Sequence, residues 1–127
     1  MTKRIINSEN APAPIGPYSQ SVLAGNTLYV SGQIPFDQVT GEMINENITE
    51  ETHQVMKNIE AILNEAGMGF NNIVKCSIFI KNMNQFNAIN EAYAVYFKSE
   101  PPARETVEVA RLPKDVNVEI SCIAVKF

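Results

Sequence analysis

The clearest pattern in the chain is helical. Between residues 49 and 66, Val55, Met56, Ile59, Ile62, Leu63 and Ala66 recur at spacings of three and four, so they share one face. Thr49 is placed to cap this helix, Glu50 and Glu51 suit the positive end of its dipole, and Gly67 is a natural stop. The next pattern has period two. In IVKCSIFI, residues 73–80, Val74, Cys76, Ile78 and Ile80 lie on one side and Lys75, Ser77 and Phe79 on the other, which predicts a strand. A second helix is predicted over about residues 84–97, with Asn84 as its cap and Phe86, Ile89, Tyr93 and Phe97 as its apolar stripe. Pro101 and Pro102 end that segment.

The remaining elements are extended. Runs 18–24 and 27–33 flank Gly25-Asn26 and read as a β-hairpin. Ile5 and Ile6 end a short first strand, the proline-rich stretch 11–17 is irregular, and Pro35 and Gly41 mark a loop. Residues 104–110 and 116–125 are two further strands around the turn LPKD. The order β-β-β-α-β-α-β-β has too few helices for a doubly wound sheet. It predicts a single α+β domain over residues 1–127, with both helices on one face of a sheet. The other face then carries Phe79, Ile123 and Val125, and an uncovered apolar face invites self-association.

Composition narrows the function classes. The chain has 127 residues, 45% of them apolar and 19% charged, as in an ordinary globular domain. Ten basic residues stand against 14 acidic ones, a formal charge of -4, which argues against a nucleic-acid partner. No apolar run is long enough to span a bilayer and no secretory h-region follows the N-terminus, so the expected location is the cytoplasm. Cys76 and Cys122 form no CxxC pair and read as free thiols in the core. His53 is the sole histidine, so no His-based metal cluster is expected, and no phosphate-binding glycine loop is present.

Polar residues at otherwise apolar positions are the candidates for chemistry. Asn90 lies four residues after Phe86 and three before Tyr93, on the buried edge of the second helix, where its amide serves either a loop backbone or a ligand. Arg104 and Thr106 share a strand face, and Arg104 follows the stiff Pro101-Pro102-Ala103 approach. Its guanidinium offers parallel donors matched to a carboxylate, or an ordinary ion pair. Glu119 interrupts the apolar run VNVEISCIAV, so it is either paired with Arg104 or Arg111 or put to chemical use. Tyr18 follows Gly16-Pro17 at a loop edge, and Ser31-Gly32 ends a strand where glycine permits a ligand, or a bulge, to come close.

Taken together, IGPYSQ (15–20), YVSGQIP (29–35), AILNEAG (61–67), VKCSIFIKNMNQF (74–86), INEAYAVYF (89–97), PPARETVEVARLPKD (101–115) and VEI (118–120) resemble the RidA/YjgF/YER057c/UK114 family of reactive-intermediate deaminases. The resemblance implies a chorismate-mutase-like α+β subunit, a homotrimer with clefts between subunits, and no cofactor. It implies hydrolysis of 2-iminobutanoate and 2-iminopropanoate to 2-oxo acids and ammonia. Carried over by position, Arg104 clamps the substrate carboxylate, Glu119 handles the hydrolytic water, and Tyr18, Ser31, Gly32, Asn90 and Thr106 line the cleft. One stretch departs from the family. PARSCV is usual, and here it is PARETV, so Glu105 and Thr106 replace a serine and a cysteine. Three other functions remain open at this stage: a YabJ-like regulatory protein that senses small carboxylates without turnover, an endoribonuclease or translation inhibitor, which the acidic balance disfavours, and a holdase-type chaperone.

Overall fold

A computed structural model describes residues 2–127. Six strands form one sheet in the order β1 (Lys3–Ile6), β2 (Ser21–Ala24), β3 (Thr27–Gln33), β8 (Val118–Val125), β6 (Ile73–Ile80) and β7 (Ala103–Glu108). All neighbours are antiparallel except β6 and β7, which run parallel across the connection that carries the second helix. The helices are α1 (Ile48–Glu65) and α2 (Phe86–Ala94). A two-residue ladder, β4 (Phe36–Asp37) with β5 (Glu42–Met43), stands apart from the main sheet. The α+β class and order expected from the sequence are present. The small β4–β5 ladder is additional, because two-residue strands leave no periodic trace.

One face of the sheet and α1 make the core. Val55, Met56, Ile59, Ile62 and Leu63 of α1 are fully buried against Leu28, Val30, Cys76, Ile78, Val118 and Ile120. Each such side chain contributes about 1.5–3 kcal/mol through burial. The helix begins one residue earlier than expected. Asn47, not Thr49, caps it, with Oδ1 accepting the Glu50 N–H at 2.9 Å. Glu51 does more than suit the dipole. It is buried and accepts from Asn117 N at 2.7 Å and Asn117 Nδ2 at 2.9 Å, which fixes the start of β8.

Two sequence assignments move for local reasons. A register shift between Ile73 and Lys75 puts Ile73 in the core and leaves Val74 39% exposed, so Val74 is not on the buried side. The second helix is shorter than 84–97. Residues Met83–Gln85 form a single 3-10 turn, and Asn82 rather than Asn84 caps that turn by accepting the Asn84 N–H. Tyr96 and Phe97 follow the helix in a turn and close an aromatic cluster with Phe70 and Tyr93.

The opposite sheet face has no helix on it among the described residues. Register places Tyr29, Ile123 and Lys75 in one row, Ser121, Ser77 and Glu105 in the next, and Glu119, Phe79 and Val107 in a third. Tyr29 is 51% exposed and Val107 40%.

Candidate functional site

The structure divides the sequence-selected residues into two groups on opposite faces of the sheet. Tyr18, Ser31, Gly32 and Glu119 line one cavity of about 380 Å³, together with Ile15, Ile34 and Pro113. Arg104, Thr106 and Asn90 lie on the helix side. There Arg104 pairs in register with buried Cys76, and Thr106 with buried Ile78. The expected sharing of a face by Arg104 and Thr106 holds, as does the placement of Glu105 on the other side.

Glu119 sits where β3 breaks its ladder with β8. The register shifts between Val30 and Gln33, so Ser31 and Gly32 bulge out of the pairing opposite Ser121, and Gly32 comes close to the Glu119 side chain. The bulge is pinned from the preceding loop. Ser31 N donates to Gln20 O at 2.9 Å and Ser31 Oγ donates to Ser19 O at 2.6 Å. Ser31 thus has its N–H and its hydroxyl proton committed, and only oxygen lone pairs remain for a ligand. Gly32 permits the Glu119 carboxyl to approach the backbone closely. A β-carbon there would stand 2.7 Å from Glu119 Cδ and closer still to Oε2. The carboxyl lies half-buried against the glycine backbone, and burial pushes its pKa above the ordinary value of 4.5.

Tyr18 is 49% exposed at the mouth of this cavity, and its hydroxyl accepts the Ile15 N–H at 3.3 Å. The loop that carries it is organised by Gln20, a buried residue that sequence reasoning passed over. Gln20 Oε1 accepts from Ser8 N at 2.7 Å, and its Nε2 donates to the carbonyls of Ser8, Ala11 and Pro12 at 3.0, 3.2 and 3.0 Å. One amide thereby ties down the proline-rich segment. A second cavity of about 320 Å³, mostly apolar, adjoins the first. The two share Ile15, Tyr18, Gly32 and Ile34, and the second extends to Phe36, Met43 and Lys114. Lys114 comes from the LPKD turn, where Lys114 and Asp115 both adopt positive φ, at 57° and 56°.

On the other face, Arg104 Nη1 donates to Asn90 Oδ1 at 2.7 Å. The guanidinium carbon lies 5.1 Å from the Tyr93 ring centroid and 5.7 Å from that of Phe86. The ion pairs among the described residues are Lys75–Glu105 at 2.9 Å and Arg111–Asp115 at 2.6 Å. The Arg104–Glu119 or Arg111–Glu119 pair weighed from the sequence is therefore absent from the subunit. Arg104 is on the wrong face, and Arg111 is bidentate to Asp115. His53, through Nδ1, is bonded at 2.7 Å to the Tyr96 hydroxyl between the helices. Among the described residues no three His, Cys, Asp or Glu side chains are grouped to hold a metal ion. Both cysteines are free and buried, and among the described residues no helix is long and apolar enough to cross a membrane.

Known proteins match this chain over nearly all its length. The family model described as Endoribonuclease L-PSP covers residues 8–126. The RutC family protein PH0854 of Pyrococcus horikoshii is 52% identical over 124 residues, 98% of each chain. Human 2-iminobutanoate/2-iminopropanoate deaminase is 43% identical over 126 residues, 99% of this chain and 92% of the human one. The crystal structure of the YjgF gene product from E. coli superimposes with a TM-score of 0.93 at 44% identity, covering 98% of this chain and 99% of that one. The chain belongs to the YjgF/RidA family.

Proposed function

We propose that the protein is a 2-imino acid deaminase that hydrolyses 2-iminobutanoate and 2-iminopropanoate to 2-oxo acids and ammonia. The human relative bears the name of that activity at 43% identity. The observation that carries the reading is the pair of half-sites: a guanidinium without an anionic partner among the described residues on one face, and a half-buried carboxyl beside a cavity on the other. One copy cannot close them on a single small substrate. The bare sheet face is suited to a second copy, and an assembly of three would bring the Arg104 half of one subunit to the Glu119 half of the next.

The chemistry needs few groups. Arg104 binds the substrate carboxylate through its free N–H groups and presents C2 in one orientation. Glu119, ionised, accepts a proton from water as the oxygen bonds to C2. The C=N π electrons move to nitrogen, which takes up a proton. In the resulting carbinolamine the hydroxyl proton passes to the amino nitrogen by way of the Glu119 carboxylate, the C–N bond breaks, and ammonia leaves as the 2-oxo acid forms. Burial that raises the Glu119 pKa makes it a stronger base than an exposed carboxylate.

The test is release of ammonia or 2-oxobutanoate from freshly generated 2-iminobutanoate. Arg104→Lys should weaken both binding and turnover, because an ammonium lacks the planar fork. Glu119→Gln should leave 2-oxobutanoate binding within a few-fold while turnover drops about 10²–10⁴-fold. Mixing the two inactive variants should restore part of the activity, since a mixed assembly contains cleft halves that are both wild type. Sedimentation equilibrium should give three times the 14.1 kDa chain mass. Wild type that binds 2-oxo acids but does not speed imine decay would be a sensor, and a clean monomer would sink the shared cleft.

A further inference from the structure

We propose that Phe86, Asn90 and Tyr93 form a socket that holds the Arg104 guanidinium in its carboxylate-binding pose, with Phe86 and Tyr93 as positioning residues that touch no substrate. The inference rests on the reading of Arg104 as the carboxylate clamp. Its basis is geometric. The three residues follow at spacings of four and three on α2, so they form one stripe. That stripe faces Arg104 on the edge strand β7, which runs parallel to β6 and is held there by register. Asn90 takes one N–H of Nη1 at 2.7 Å, and the rings of Tyr93 and Phe86 lie 5.1 and 5.7 Å from the guanidinium carbon.

The apolar stripe alone does not account for this arrangement. Ile89 and Ala92 on the same helix are buried and face the core, as an amphipathic helix requires. Asn90 is a polar interruption, and its amide oxygen is spent on Arg104. Tyr93 is 5% exposed, yet its hydroxyl has no hydrogen-bond partner among the described residues. The Cys76 thiol beside it is a weak partner, and burial holds the hydroxyl far above the usual phenol range. The useful part of Tyr93 is therefore its ring. A cation over an aromatic face within about 6 Å is attracted by the ring quadrupole. An arginine held this way has already lost the rotamer freedom it would otherwise lose on binding a carboxylate. Asn90 binds Nη1 while Nε and Nη2 have no partner among the described residues, which leaves donors for a ligand.

The test uses 2-oxobutanoate binding by calorimetry and 2-iminobutanoate turnover. Tyr93→Phe keeps the ring face and should bind within twofold of wild type, with equal or higher thermal stability. Tyr93→Leu removes the ring and should raise Kd and KM about threefold to thirtyfold while kcat changes less than threefold. Phe86→Leu should shift both in the same direction by less, in line with its longer distance. Phe86 is only half-buried, so this variant decides the matter if Tyr93→Leu does not fold. Purely structural rings would lower the melting temperature and leave Kd of the folded fraction unchanged, and that result overturns the socket. If Arg104→Lys itself leaves binding and turnover intact, the clamp reading has failed beneath it. If Arg104→Lys abolishes binding while both ring variants bind normally, the socket alone has failed.

Discussion

Gly32→Ala tests whether the position of the Glu119 carboxyl matters, without altering any titratable group. The new β-carbon would meet Glu119 Cδ at 2.7 Å. Non-bonded carbons settle at about 3.5–4.0 Å, so the carboxyl must move by about 1 Å. Misplacement of a catalytic group by that distance costs on the order of 10²-fold in rate, about 2.7 kcal/mol of barrier at 25 °C.

 The fold should survive. Gly32 lies in a bulge outside the β3–β8 ladder and has no left-handed backbone angle to lose. The assay is kcat on 2-iminobutanoate beside a melting curve. We expect kcat to fall about 100-fold with the melting temperature within a few degrees of wild type. The double variant Gly32→Ala/Glu119→Gln should be no worse than Glu119→Gln alone, because both changes act on one group. A Gly32→Ala protein with kcat within threefold of wild type would refute the assignment of Glu119 to the water.

Three further outcomes follow from the same geometry. Because burial raises the Glu119 pKa and the ionised form is the proposed base, the acid limb of kcat should fall at a pH above the ordinary carboxylate value of 4.5; a limb at or below that value would contradict the burial argument. Burial also pushes the Cys76 and Cys122 thiols above their ordinary range, so a thiol reagent at pH 8 should modify neither until denaturant is added. Thr106→Cys should change deamination by less than about tenfold, since attack by activated water needs no thiol at that position; a gain of several hundredfold would assign the thiol a role.

Period and parity made much of the fold legible. The α1 stripe is buried as its spacing required, and the alternation in β7 put Arg104 and Thr106 on one side and Glu105 on the other. Features that depend on a single residue escaped. A bulge beside Val74 exchanged it for Ile73, and the α1 cap fell on Asn47 because its side chain reaches the Glu50 N–H. The relation between Arg104 and Glu119 was not legible, because it depends on strand order and register. Only with β8 between β3 and β6, and β7 parallel at the edge, do the two residues fall on opposite faces. Asn90 was visible as an interruption between Phe86 and Tyr93, but its partner came from a distant strand. Gln20 was missed because a glutamine in a loop has no periodic context that marks it as buried.

Glu105 raises a question of charge, since it places a carboxylate next in sequence to the arginine proposed to bind an anion. The structure separates the two. Glu105 stands on the opposite face, where its carboxylate accepts from Ser77 Oγ and pairs with Lys75 Nζ at 2.9 Å. The Ser77 hydrogen bond, and then Lys75, hold its pKa below the ordinary value. It therefore stays ionised at neutral pH, and its charge is balanced locally by Lys75. Both side chains are partly exposed, so salt and water screen what field remains. Glu105→Ser should accordingly leave the Kd for 2-oxobutanoate and the KM for 2-iminobutanoate within twofold of wild type at physiological salt. Its effect should fall on the bare sheet face, where Lys75 loses its partner. If two copies meet there, an unpaired lysine is costly to bury, and the variant should dissociate at higher protein concentration than wild type. Calorimetry with 2-oxobutanoate and sedimentation of the same sample separate these effects. A Kd lowered fivefold or more, with assembly unchanged, would show that the Glu105 carboxylate reaches the Arg104 site and that the sheet does not insulate it.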